Sequence, residues 1–191
     1  SSGEIRSSEN VDNSSPMRAA AMISRMSAVK VLSMSTDDYG ISTASGTYVT
    51  YRDRYFILTV AHGINSDCSF VRFMAATGTG ALVECKQIIE INQYVDYSII
   101  EVDEISDLRA VDIRRQIPNA REWVDTFATF NQLIYTGYPG NIGVSTFRGE
   151  VISYTYDDLV YLHSFAWPGA SGSGVFNEEG QLVGHIMALA V

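Results

Sequence analysis

Short runs of apolar and β-branched residues alternate with turn residues over most of this chain, and this pattern predicts β-strands. One set of strands is predicted near 29–34, 43–51, 54–59, 69–75, 81–91 and 97–102. A second set is predicted near 124–130, 132–138, 144–156, 159–165, 174–177 and 181–189. The segments YRDRY and NEEGQ have the residues of hairpin turns. The sequence therefore predicts an all-β fold of two six-stranded antiparallel barrels packed together, with a cleft between them.

The same pattern divides the chain into five segments. Residues 1–15 are rich in Ser, Asn and Glu and predict a flexible polar arm. A short helix is predicted over 16–28, because a Ser-Pro pair stands where a cap and a first helical residue belong. The N-terminal barrel then covers 29–103 and the C-terminal barrel 124–191. The more polar segment 104–123 is predicted to be the linker between the two barrels.

Composition narrows the classes of partner. The chain of 191 residues carries a net charge of −9. This argues against nucleic acid as a partner, because phosphate binding depends on clustered Lys and Arg. No run of about 18 apolar residues occurs, so no membrane span is expected. The N-terminus shows no secretory signal pattern, and the compartment is left open.

The two cysteines, Cys68 and Cys85, have no spacing typical of a zinc site, so no metal is expected. The segment between them is predicted to be a hairpin centred near residues 76 and 77. Both cysteines would then lie nearly opposite each other. This leaves a disulfide and two free thiols equally open.

Three histidines are available as a candidate base. His62 stands where the buried strand FILTV ends and a glycine forces the chain to turn. His163 and His185 lie inside predicted strands and are expected to pack or to face solvent. Asp96 opens the apolar strand YSIIEV between two tyrosines, where a strand-entry Asp often bonds a local N–H.

The segment WPGASGSGV places two serines among glycines and a proline. A sharp Gly-rich turn projects a hydroxyl and exposes N–H groups, which are the two things that acyl transfer requires. Histidine is the fitting base at neutral pH, and a carboxylate orients it. His62 and Asp96 fall in the first strand set and Ser171 in the second. A cleft between two barrels would bring the three together.

Three segments resemble the catalytic elements of the chymotrypsin-like serine proteases: LTVAHGI, VDYSII and PGASGSGVFNEEGQLVG. The segment YTGYPG, followed by FRGEVISY, resembles the corresponding segments of one bacterial branch of this family, which contains the glutamyl endopeptidases and exfoliative toxins. The resemblance covers about residues 43–188. It implies a serine endopeptidase that acts on polypeptides and requires no metal and no organic cofactor. The polar start and the early end of the chain leave open other domains of a longer parent chain.

The resemblance also implies the role of each site residue. His62 matches the general base, Asp96 the orienting acid and Ser171 the nucleophile. The backbone N–H groups of Gly169 and Ser171 match the oxyanion hole. Ser173 is the rival hydroxyl, and the register of the family motif disfavours it.

The departures from the family pattern are informative. Ala170 stands where trypsin-type enzymes carry an Asp that binds the freed N-terminus, so activation by that ion pair is excluded. Ile186 and Ala166 stand where the glutamate-specific branch has a His and a Thr or Ser, so glutamate specificity is not expected. Ala166, Ile186 and Ala188 instead predict an apolar primary specificity pocket of small or middling size.

Other readings have less support. A catalytically silent domain that binds peptides or serves as a scaffold stays open because of Ala170. An esterase on an α/β fold would present its triad in the order Ser, Asp, His. A cysteine enzyme is disfavoured because neither cysteine lies on a Gly-rich turn.

Overall fold

The computed structural model describes residues 16–75, 80–138, 143–155, 159–164 and 169–188. It contains two α-helices, α1 (Pro16–Ser27) and α2 (Ala120–Thr126), and a 3₁₀ turn at Cys68–Phe70. The first strands are β1 (Ala28–Met34), β2 (Ile41–Tyr51), β3 (Arg54–Thr59), β4 (Val71–Ala75), β5 (Leu82–Glu84), β6 (Gln87–Asn92), β7 (Tyr97–Val102) and β8 (Val111–Asp112). The later strands are β9 (Gln132–Gly137), β10 (Ser145–Tyr154), β11 (Val160–His163), β12 (Gly174–Phe176) and β13 (Leu182–His185).

The first sheet runs in the order β5-β4-β1-β2-β3-β7-β6, with antiparallel pairing throughout this path, and β8 pairs parallel to β2. Its strands alternate buried and less buried positions because one face covers a core. The side chains of that core that are at most 1 % exposed include Val29, Val31, Tyr48, Ile57, Phe73 and Ile100.

The second sheet runs in the order β11-β10-β9-β12-β13. Its core is built by Leu133, Tyr135, Val151, Ala170, Val175 and Val183. Helix α1 packs against this sheet: the hydroxyl groups of Ser24 and Thr136 lie 2.6 Å apart, and the Ile23 side chain leaves no room for a Cβ at Gly180. A further apolar cluster contains residues of both sheets, with Val49 and Phe56 from the first and Phe176 and Leu182 from the second.

The prediction of two antiparallel barrel-like sheets with a short N-terminal helix is confirmed, as two curled half-barrels. The strand numbers differ from the predicted six in each barrel: among the described residues, the first sheet has eight strands and the second has five. The strand predicted near 81–91 is two strands, β5 and β6. The strand predicted near 124–130 is wrong, because helix α2 extends to Thr126. Asn119 and Glu122 form a capping box there, and this local signal outweighs the β-propensity that follows.

Both hairpin predictions are confirmed. Arg52 and Asp53 join β2 to β3 with φ values of 49° and 64°, the left-handed pair that a tight hairpin requires. Residues between β12 and β13 form the second turn.

Cys68 and Cys85 are joined by a disulfide, with their Cα atoms 5.3 Å apart. The predicted arm, 1–15, lies outside the described residues. Among the described helices, none is long and apolar enough to cross a membrane.

Candidate active site

His62 is held at the end of a rigid strand. Strand β3 ends at Thr59, and Val60 and Ala61, which follow it, are fully buried. Gly63 then takes a φ of 77°, which turns the chain away from the sheet. The His62 side chain is 56 % exposed, so its ring can meet a substrate while its backbone is anchored in the core.

Asp96 lies directly beside His62. Its Oδ2 atom is 2.6 Å from Nδ1 of the His62 ring. Its Oδ1 atom accepts hydrogen bonds from the N–H groups of Ala61 at 2.8 Å and His62 at 2.9 Å. Asp96 has a φ of 52°, a left-handed conformation that Asp tolerates better than most residues. The carboxylate therefore fixes both the backbone and the ring of His62.

The surroundings of Asp96 favour its charged form. Burial by itself raises the pKa of this carboxyl, but the hydrogen bonds from the His62 N–H, the His62 ring and the Ala61 N–H lower it more. The pKa of Asp96 therefore lies below its ordinary value. An ionised carboxylate at Nδ1 directs the other ring nitrogen, Nε2, to act as a proton acceptor.

His185 supports Asp96 from the second sheet. Its Nε2 atom lies 2.8 Å from the backbone carbonyl oxygen of Asp96. His185 was expected to pack or to face solvent, and it packs, with a specific partner. Sequence reasoning missed that partner because 89 residues separate the two positions. His163 faces solvent on β11.

The turn that carries Ser171 has unusual backbone geometry. Gly169 has a φ of 103° and Gly172 a φ of 92°, values that favour glycine. A Cβ at Gly172 would also overlap the carbonyl oxygen of Ser45. Both glycines therefore suit the conformation of the turn, and Gly172 also allows its close approach to β2.

The two serines of the turn have different surroundings. Ser171 is partly exposed, whereas Ser173 is 0 % exposed and packs against Gly137. The Ser173 hydroxyl is buried and has no hydrogen-bond partner among the described residues. Ser173 is therefore shielded from substrate, and Ser171 is the more accessible hydroxyl. In the described part of the chain, the His62 ring is hydrogen-bonded to Asp96 and not to Ser171.

One backbone N–H group of the turn has a fixed direction. The Ala170 carbonyl accepts a hydrogen bond from the Ser173 N–H at 3.0 Å. Ala170 C=O and Ser171 N–H belong to the same peptide plane and point in opposite directions. The Ser171 N–H is therefore directed away from Ser173, and it donates to no backbone carbonyl of the described residues.

The residues predicted to line a specificity pocket are only partly described. Ile186 is half-buried against the core of the second sheet, and Ala188 is exposed. Ala166 lies outside the described residues. A cavity of about 270 Å³ that the sequence did not predict lies beside the His62 ring, lined by Ser42, Thr43, Ala44, His62, Gly63 and Ile64. The described residues contain no group of three or more potential metal ligands.

Comparison with known proteins shows the family and the fold of the chain. The family model of the trypsin-like peptidase domain matches residues 44–184. The crystal structure of the serine endoprotease from Yersinia pestis superposes with a TM-score of 0.70 at 20 % sequence identity. At that identity the likeness shows the fold alone. The match covers 92 % of this chain and 57 % of that one, so this chain spans less than two thirds of its structural neighbour. No curated protein sequence matches.

Proposed function

The chain belongs to the trypsin-like peptidase domain family and has a serine endopeptidase fold, and we propose that it hydrolyses polypeptides through an acyl-enzyme formed on Ser171. His62 is the general base and Asp96 the residue that orients it. The N–H groups of Gly169 and Ser171 form the oxyanion hole. The bacterial branch suggested by the sequence remains a prediction.

The proposed reaction has two steps, the formation of the acyl-enzyme and its hydrolysis. The Ser171 Oγ attacks the scissile carbonyl carbon while Nε2 of His62 accepts the hydroxyl proton. The oxyanion that develops is stabilised by the two N–H groups. When the C–N bond breaks, the leaving amine takes the proton from His62. A water molecule then attacks the ester by the same route, which releases the acid and restores Ser171.

The observation that carries this proposal is the contact between Asp96 and His62. A carboxylate that binds Nδ1 at 2.6 Å, and also two backbone N–H groups of the same segment, supports a base held in one tautomer. A purely structural histidine has no need of a carboxylate beside a ring that is 56 % exposed. The accessibility of Ser171 on a Gly-rich turn supports the same proposal.

We propose that the primary specificity pocket accepts apolar side chains. Ile186 and Ala188, together with Ala166, would offer side chains without charge to the residue before the scissile bond. Each methylene matched in such a pocket is worth roughly 1–3 kcal/mol of discrimination. Cleavage profiling on a peptide library should give apolar residues of small or middling size, and a strong preference for Glu or Arg would contradict this.

A silent peptide-binding domain is the second candidate. It is favoured by the missing hydrogen bond between the Ser171 hydroxyl and the His62 ring. Catalytic hydrogen bonds are often long in free enzymes and shorten when substrate binds, so this observation is compatible with both candidates.

A fluorophosphonate probe separates the two candidates, because its reaction requires the nucleophile, the base and the oxyanion hole together. We expect labelling of Ser171 in the wild type, located by peptide mapping, and none in Ser171→Ala. The matched control is Ser173→Ala, which should be labelled at Ser171. A folded wild type that takes up no probe would support the silent domain, and labelling at Ser173 would mean that the nucleophile is misassigned.

A further inference from the structure

The turn that carries Ser171 is attached to the first sheet at Ser45, a residue of β2. The Ser45 N–H donates to the Ser171 carbonyl at 2.8 Å. The Ser45 hydroxyl donates to the Gly169 carbonyl at 2.8 Å and accepts from the Tyr138 N–H at 3.1 Å. Ser45 is itself 0 % exposed, and its two side-chain hydrogen bonds are partly buried.

Ser45 is itself held in place. Its carbonyl accepts a hydrogen bond from the Thr59 hydroxyl at 2.8 Å. A Cβ at Gly137 would lie 2.9 Å from the Ser45 hydroxyl oxygen, so the hydroxyl is enclosed on that side. A residue with a fixed backbone and an enclosed side chain can fix its partners in turn.

The partners of Ser45 are two peptide planes on either side of the Ser171 N–H. The bond to the Gly169 carbonyl fixes the plane between Gly169 and Ala170. The bond to the Ser171 carbonyl fixes the plane between Ser171 and Gly172. The plane between them carries the Ser171 N–H, and it cannot rotate freely while both neighbours are held.

We propose that Ser45 is a positioning residue that keeps the nucleophile turn in its working conformation. This inference rests on the proposed function, because the turn has a working conformation only if Ser171 is the nucleophile. Ala170 offers no charge with which an ion pair could hold the turn, and Ser45 supplies neutral hydrogen bonds in its place.

The test compares Ser45→Ala with Ser27→Ala. Ser27 is also 0 % exposed, and its hydroxyl donates to the carbonyl groups of Ile23 and Ser24 in α1, remote in sequence from the turn. Both variants should lower the melting temperature, because both lose the hydrogen bonds of a fully buried hydroxyl group. Only Ser45→Ala should alter the turn.

Two readouts report on the turn. The Gly172 N–H donates a hydrogen bond to the Ile186 carbonyl, and the Ser173 N–H donates one to the Ala170 carbonyl. The hydrogen exchange of these two amides should become about tenfold faster in Ser45→Ala. Fluorophosphonate labelling should become about ten- to a hundredfold slower, since losing one oxyanion donor outright costs about 10²–10³. The loss should fall on the maximal labelling rate, with the half-saturating probe concentration little changed, because the donor acts in the transition state.

Each outcome decides the matter. Unchanged exchange at both amides in Ser45→Ala would overturn the positioning role, even if labelling slowed. Faster exchange in a protein whose wild type takes up no probe would leave the role of Ser45 standing and refute the proposed function. If Ser45→Ala does not fold, Ser45→Cys fills the same site with a weak donor and is expected to show the same two effects.

Discussion

Replacing Ala170 by Asp tests whether the turn that carries Ser171 is held by apolar packing. Ala170 is 2 % exposed and belongs to a cluster whose other buried members are Leu133, Tyr135, Val151, Val175 and Val183. No member of that cluster is charged. A carboxyl introduced at this position loses its hydration without gaining a cation, and burial of this kind raises a carboxyl pKa by up to about 3–5 units.

The loss of stability expected for Ala170→Asp follows from the pKa of Asp in the unfolded chain. An unfolded Asp has a pKa of about 3.9, which lies about 3 pH units below pH 7. Within that interval each pH unit lowers the free energy of unfolding by about 1.4 kcal/mol. The carboxylate at position 170 should therefore cost up to about 4 kcal/mol at pH 7, out of a total stability of roughly 5–15 kcal/mol. The folded-state pKa is raised, so the folded protein binds more protons than the unfolded chain. The cost is absent below about pH 4 and grows as the pH rises toward the folded-state pKa.

Urea unfolding from about pH 4 to about pH 7.5 measures this cost, with Ala170→Asn as the control of nearly equal size. The two variants should be similarly stable at the acid end and diverge by up to about 1.4 kcal/mol per pH unit above it. Equal stability of the Asp and Asn variants at every pH would refute the apolar environment assigned to Ala170.

Two further substitutions test the site. Asp96→Asn should slow fluorophosphonate labelling by about 10⁴, because an amide favours the wrong tautomer of the His62 ring. The pKa of Asp96 is lowered in the folded state, so the stability that its charge contributes is present above about pH 4 and is lost as the pH falls through the folded-state value. Thermal melts should therefore show the gap between wild type and Asp96→Asn closing in acid, and a gap that widened would contradict the assignment. Gly172→Ala should destabilise the protein by roughly 1–3 kcal/mol and suppress labelling, because its φ is 92° and the new Cβ would overlap the Ser45 carbonyl. Gly184→Ala is the matched control, since nothing lies within 4 Å of a Cβ there, and a similar loss in both variants would refute the steric argument.

The two-sheet architecture was predictable because its signals are local. Alternating β-branched residues mark the strands, and YRDRY and NEEGQ mark two of the turns that join them. The strand predicted near 124–130 failed because the capping box of Asn119 and Glu122 precedes it and starts a helix. The short parallel pairing of β8 with β2 was missed because two residues are too few to show a period.

The residues of the candidate site were proposed where motifs carry them. His62, Asp96 and Ser171 were identified by their resemblance to known segments, and the contact between His62 and Asp96 agrees with it. Ser45 and His185 were not identified, because each acts through a backbone carbonyl on a distant segment. A serine in a strand and a histidine in a strand have no local pattern that distinguishes them from ordinary packing residues.

The hydrogen bond from Ser45 to Gly169 joins residues 124 positions apart, whereas His62 and Asp96 are separated by 34. Closing a long loop costs more conformational entropy than closing a short one, so we expect the contact of Ser45 with Gly169 to form after that of His62 with Asp96. A chain emerging from the ribosome would therefore assemble its base and acid first and its nucleophile turn last. During refolding, fluorophosphonate labelling should lag behind the recovery of β-structure measured by circular dichroism, and simultaneous recovery would contradict this order. Under the proposed function, such a delay would keep the chain unable to cleave its neighbours, or itself, while it is being made.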